Sequence, residues 1–83
     1  MEKKAENLKA ILEEAARLHA ISINEATPEA EADEAYEAVW VHYRKAAALV
    51  VEMTSGRVDE KTALRMAVHK KAEIISLINR MAA

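Results

Sequence analysis

The chain contains no cysteine and no phenylalanine, and only one glycine, one proline and one tryptophan. Without cysteine there is no disulfide framework and no thiolate metal site, so packing alone must hold the fold. A single glycine excludes the Gly-rich loop that cradles a phosphate. Long apolar runs are missing too. None approaches the roughly eighteen residues of a membrane span, and the opening Met1-Glu2-Lys3-Lys4 is not followed by the apolar stretch of a signal peptide. A soluble, cytoplasmic protein is the expectation. Charge of one sign is equally scarce: twelve basic side chains stand against fourteen acidic ones, net −2, with no long block of either. Nucleic acid is therefore not an expected partner, because phosphate binding needs a concentrated basic face.

What the sequence does hold is helix-forming material. It is rich in Ala, Glu, Lys and Leu, with 31% of residues charged and 52% hydrophobic. Such a composition describes a nearly all-helical chain. Its 83 residues make one domain, 1–83, near the size at which a single core only just suffices, with roughly 60–65% of the unfolded surface buried on folding. Pro28 and Gly56 punctuate it into three helices, about 2–26, 28–54 and 59–81. The two connections are short, so neighbouring helices run antiparallel. The predicted fold is all-α, an up-down-up three-helix bundle.

The middle helix organises the rest. Tyr36, Val39, Trp40, Tyr43, Ala46, Ala47, Val50 and Met53 recur at three- and four-residue steps and predict its core seam. This run holds the tryptophan and both tyrosines, and hence most of the large rigid apolar area. Val41, Ala48 and Leu49 fall off the seam as surplus. In the first helix Leu8, Ile11, Leu12, Ala15, Leu18, His19, Ser22, Ile23 and Ala26 share one side. Thr27 is placed to cap the second helix with Pro28 at its first position, and Glu29, Glu31, Asp33 and Glu34 crowd the turns where the macrodipole favours carboxylates. That acidic, Ala-rich start is thin enough to project beyond the first helix. Gly56 is the expected left-handed residue after the second helix, and Asp59 the expected cap of the third, with Thr62 in its first turn.

The third helix carries Leu64, Ala67, Val68, Ile75 and Ile78 on one seam, flanked by Met66, Ile74, Leu77 and Met81. At roughly 100° per residue the combined arc covers about 200°, wider than one contact requires. An exposed strip around Ile74, Leu77 and Met81 is thus expected, open to a partner. Lys71 lies in the same arc; it either snorkels at the bundle edge or anchors a partner's carboxylate.

Residues able to carry chemistry are few. His19, His42 and His69 stand one per helix, without the three- or four-residue repeat of a helical zinc site. His19 is expected to pack partly buried, the other two to lie at the surface. Glu13-Glu14 and the pair Glu31 and Glu34 are similar to fragments of the carboxylate clusters of magnesium-dependent helical pyrophosphohydrolases, but the full Glu-Glu-x-x-Glu and Glu-x-x-Asp pattern is absent. Ser22, Ser55 and Ser76 have no neighbouring base. Neither catalysis nor a cofactor is expected.

Several segments resemble an MIT (microtubule-interacting and transport) domain, the three-helix module found on ATPases and other partners of ESCRT-III filaments. They are Leu12-Glu13-Glu14-Ala15-Ala16-Arg17-Leu18-His19-Ala20-Ile21 in the first helix, Tyr36-Glu37-Ala38 with Tyr43 and Ala46 in the second, and Lys71-Ala72-Glu73 with Ile75 in the third. The chain departs from the family in having Ala35 where a Gly or Asn is usual, and in a shorter span from Ala46 to Ala72. The resemblance implies a non-catalytic module that docks a short tail peptide of an ESCRT-III-like subunit in a groove beside the third helix. It further implies that Ala72 and Glu73 line that groove, with Glu73 facing a basic residue of the peptide. Lys71, Ala72, Glu73, Ile74, Leu77 and Met81 are the predicted partner-binding residues. Two other functions compete: a self-associating bundle that hides the same strip in a homodimer, and a small metal-dependent helical enzyme.

Overall fold

The computed structural model describes residues 2–69 and, beyond them, Glu73, Ile74, Ser76, Asn79 and Arg80. Three helices follow one another, α1 (Glu2–Ile23), α2 (Glu29–Met53) and α3 (Glu60–His69). The described residues after His69 are helical as well. α2 carries the principal contacts of both other helices. Lys4, near the start of α1, pairs with Glu52 at the end of α2, which makes the two antiparallel. The all-α three-helix bundle expected from composition and punctuation is the observed architecture.

The helix ends obey local hydrogen-bond chemistry. α1 stops three residues earlier than its apolar spacing suggests, because Asn24 bends the chain back on itself. Its Oδ1 accepts the Ala26 N–H at 2.9 Å and its carbonyl accepts the Thr27 N–H at 3.0 Å. A side chain that satisfies nearby backbone competes directly with the helical ladder. The entry to α2 also differs from expectation: Pro28, at φ −55° and ψ 143°, occupies the cap position, and no side chain caps the helix. Thr27 is one residue too early to serve. The Pro28 carbonyl opens the ladder by accepting the Ala32 N–H at 2.9 Å.

At the other end of α2 the chain makes a Schellman turn, the Gly56 N–H donating to the Val51 carbonyl at 2.9 Å and the Ser55 N–H to that of Glu52 at 3.2 Å. Ser55 (φ 53°) holds the first left-handed position and Gly56 (φ 80°) the next. The Thr54 hydroxyl donates to the Val50 carbonyl at 2.8 Å and accepts the Val58 N–H at 3.3 Å, tying the loop to the helix it leaves. Asp59 caps α3 as predicted, its Oδ1 accepting the Thr62 N–H at 2.7 Å. That bond, with a second from the Thr62 hydroxyl, holds the Asp59 carboxyl below its ordinary value.

The core joins Leu8, Leu12 and Ala15 of α1, Val39, Tyr43, Ala46, Ala47 and Val50 of α2, Ala63 and Ala67 of α3, and Ile74. Among the described residues no polar or charged side chain is buried. Alanine makes up an unusual share of the list, and its position corrects the expected seams. In α2 the small Ala35 is buried while Tyr36 is 53% exposed. After His69, Ile74 is 0% exposed, in phase with Ala63 and Ala67: at about 100° per residue the three fall within roughly 40° of one another. Of the expected seam Ala67 is buried while Leu64 and Val68 are half-buried, so over the described residues the seam is rotated toward Ala63, and Ile75 and Ile78 lie outside those residues. His19, expected to pack, is exposed, because the stripe of Leu8, Leu12 and Ala15 gives out before the helix does.

Candidate functional site

Ile74 is the one predicted partner-binding residue whose position overturns its assignment. It is fully enclosed in the core of the single chain, so it cannot meet a partner while the bundle is intact. Glu73, its neighbour, is exposed. Lys71, Ala72, Leu77 and Met81 lie outside the described residues. Within Glu60–His69, Leu64 and Val68 of the expected seam and the flanking Met66 are half-buried and pack on the core. Over Glu60–His69 the expected surplus is thus largely absorbed by the bundle itself.

Exposed apolar surface occurs elsewhere. Ile23, 66% exposed, ends α1, and Tyr36 and Val41 project from α2. Tyr36 is not isolated: its ring meets Trp40 edge-to-face at 6.4 Å, and Trp40 meets Tyr43 in the same way at 5.7 Å. The ladder runs from solvent into the core. Such pairs fix ring orientation beyond what area burial alone supplies.

On the opposite flank of α2 the two antiparallel helices leave a cleft of about 250 Å³, lined by Arg17, Leu18 and Ile21 of α1 and by Glu31, Glu34, Ala35 and Ala38 of α2. The acidic start of α2 does not project past α1; it forms one wall of this cleft. Leu18 and Ile21 are half-buried, Ala35 is buried and Ala38 half-buried, so the floor is apolar. The mouth is charged. Arg17 is already committed, with Nε donating to Glu14 Oε1 at 2.8 Å and Nη2 donating to the same oxygen. The bond from Arg17 holds the Glu14 carboxyl below its ordinary value, and the pairing raises that of Arg17. His42 lies near enough for its charge to act on Glu14, and its Nδ1 is 2.8 Å from the Ala38 carbonyl, where it donates. Glu31 and Glu34, both exposed, make no ion pair or hydrogen bond among the described residues.

For chemistry the arrangement offers little. Among the described residues no group of three or more His, Asp or Glu side chains could hold a metal ion, and no helix is long and apolar enough to cross a membrane. Glu14, one of the four carboxylates singled out from the sequence, is held by Arg17. The cleft itself escaped the sequence reading. Its only trace there is the thin, Ala-rich start of the second helix, in which Ala35 and Ala38 stand three residues apart, and the partner residues across the gap depend on an axial register that no local pattern reveals.

The class that fold and cleft define is a small antiparallel helical bundle with an apolar-floored surface groove. Comparison with models of protein families, with curated proteins and with solved structures finds no match to this chain.

Proposed function

We propose that the chain is a non-catalytic interaction module that docks a short peptide or helical segment of another protein. The observation that carries this is the α1–α2 cleft, whose floor of Leu18, Ile21, Ala35 and Ala38 is open to solvent at one end of the bundle. Insertion of a partner's apolar side chains into such a groove is a common mode of segment recognition. The exposed Ile23 and Tyr36 add apolar area that the bundle does not use.

A narrower form, docking of an ESCRT-III-like tail in a cytoplasmic setting, rests on the likeness to MIT domains in the segments around Leu12, Tyr36 and Lys71. In that form the groove would lie beside the third helix, with Glu73 exposed at its edge and Ile74 excluded as a contact. Titration of the isotope-labelled protein with ESCRT-III-type tail peptides, read by amide chemical shifts, tests it. Saturable shifts beside Glu73 support the narrow form, and saturable shifts confined to the cleft support the module without it. Light scattering at micromolar concentration should return a monomer; a stable dimer that buries Ile21 and Ala38 would replace the proposal with self-association.

A further inference from the structure

We infer that the α1–α2 cleft takes a cationic amphipathic segment, one large aliphatic side chain seating on Ala35 and Ala38 and a Lys or Arg one turn away meeting Glu31 and Glu34. This deepens the docking function proposed above and stands on it. Size limits the occupant first. A cleft of about 250 Å³ falls below the roughly 300–1,000 Å³ of small-molecule sites, and its volume suits one or two side chains. Ala35 and Ala38 contribute only methyl groups to the lining, which leaves the floor shallow enough for a partner's side chain to seat against it.

Charge then selects the kind of segment. Of the three ionised groups lining the cleft, Arg17 is neutralised by two hydrogen bonds to Glu14. The remaining two, Glu31 and Glu34, have no partner among the described residues. The mouth is therefore negative. Helix electrostatics accounts for Glu31, which lies in the first turn of α2, where the macrodipole favours a carboxylate. It accounts less for Glu34, which lies beyond the first turn where that effect has weakened. A basic residue on the occupant would neutralise both at the rim, where complementarity governs association rate and selectivity more than raw affinity.

Two synthetic amphipathic peptides with the same leucine face, one with lysine and one with glutamate on the polar face, form the probe. With labelled protein, the lysine peptide should shift the amides of Ile21, Ala35 and Ala38 saturably and bind at least tenfold more tightly than the glutamate peptide. The double variant Glu31→Gln/Glu34→Gln should weaken the lysine peptide by roughly three- to tenfold, the range two exposed ion pairs supply, while the thermal midpoint falls by no more than the few degrees that loss of the Glu31 dipole interaction entails. Ala38→Leu should block both peptides by filling the floor. Equal binding of the two peptides at the cleft would overturn the charge assignment and leave the docking function standing. Shifts confined to residues outside the cleft would overturn the site and keep the module. No shift with either peptide, in a protein whose circular dichroism shows it folded, would remove both.

Discussion

Replacing Ile74 by alanine removes three carbons from a side chain that is 0% exposed. At about 0.8 kcal/mol per buried methylene the transfer term alone is ~2.4 kcal/mol. The cavity left behind adds to it, and buried Ile-to-Ala changes span about 2–5 kcal/mol, so ~3 kcal/mol is expected. An unfolding entropy of about 2.1 cal/mol/K per residue, over 83 residues, gives ~0.17 kcal/mol/K near the midpoint. The melting temperature should therefore fall by ~17 °C, read by far-ultraviolet circular dichroism. Ile23→Ala is the matched control, since Ile23 is 66% exposed, and surface changes of this kind stay within about 0.5 kcal/mol, here ~3 °C. Ile74→Asp should unfold the bundle outright, the reverse of what a surface anchor would do. A loss for Ile74→Ala no larger than for Ile23→Ala would show that this residue is not core, and would restore it to the list of partner contacts.

Two further expectations concern the turns. Asp59 holds its carboxyl below the ordinary value of 3.8 through the Thr62 bond, so its contribution to stability is complete above that value and is lost as pH falls through the lowered folded-state value. Asp59→Asn should keep the cap and erase this part of the acid dependence, while Asp59→Ala should lower stability at neutral pH as well; urea midpoints across the acid range read both, and an unchanged acid limb in Asp59→Asn would refute the assignment. Gly56→Ala meets no atom within 4 Å but sits at φ +80°, so only backbone strain acts, destabilising by about 1 kcal/mol; a neutral result would mean that the turn readily adopts another form.

How far the chain could be read in advance depended on what each signal encodes. Asp59, Pro28 and Gly56 act through atoms a few residues away, and they placed the bounds of α1 and α2 and the start of α3 to within about three residues. The facing of each helix was harder. Large side chains drew the expected seams toward Tyr36 and Leu64; Ala46 and Ala67 were on those seams and are buried, but Ala35 and Ala63, whose small size carries little weight in a hydrophobicity pattern, are buried as well and were not. A shift of one residue was enough to turn Tyr36 outward and Ile74 inward. The cleft was less legible still, since it depends on Leu18 and Ile21 standing opposite Ala35 and Ala38, a matter of register between helices. Ser55 at the first left-handed position was likewise hidden behind the more obvious glycine.

The alanines of the core, Ala15, Ala46, Ala47, Ala63 and Ala67, have a thermodynamic corollary. A methyl group has no rotamer to freeze, so these contacts form with almost no loss of side-chain freedom, and they are nearly featureless along the helix axis. Sliding of one helix past another is opposed chiefly by the few bulky wedges, Leu8, Leu12, Tyr43 and Ile74, which act as the teeth of an otherwise smooth rail.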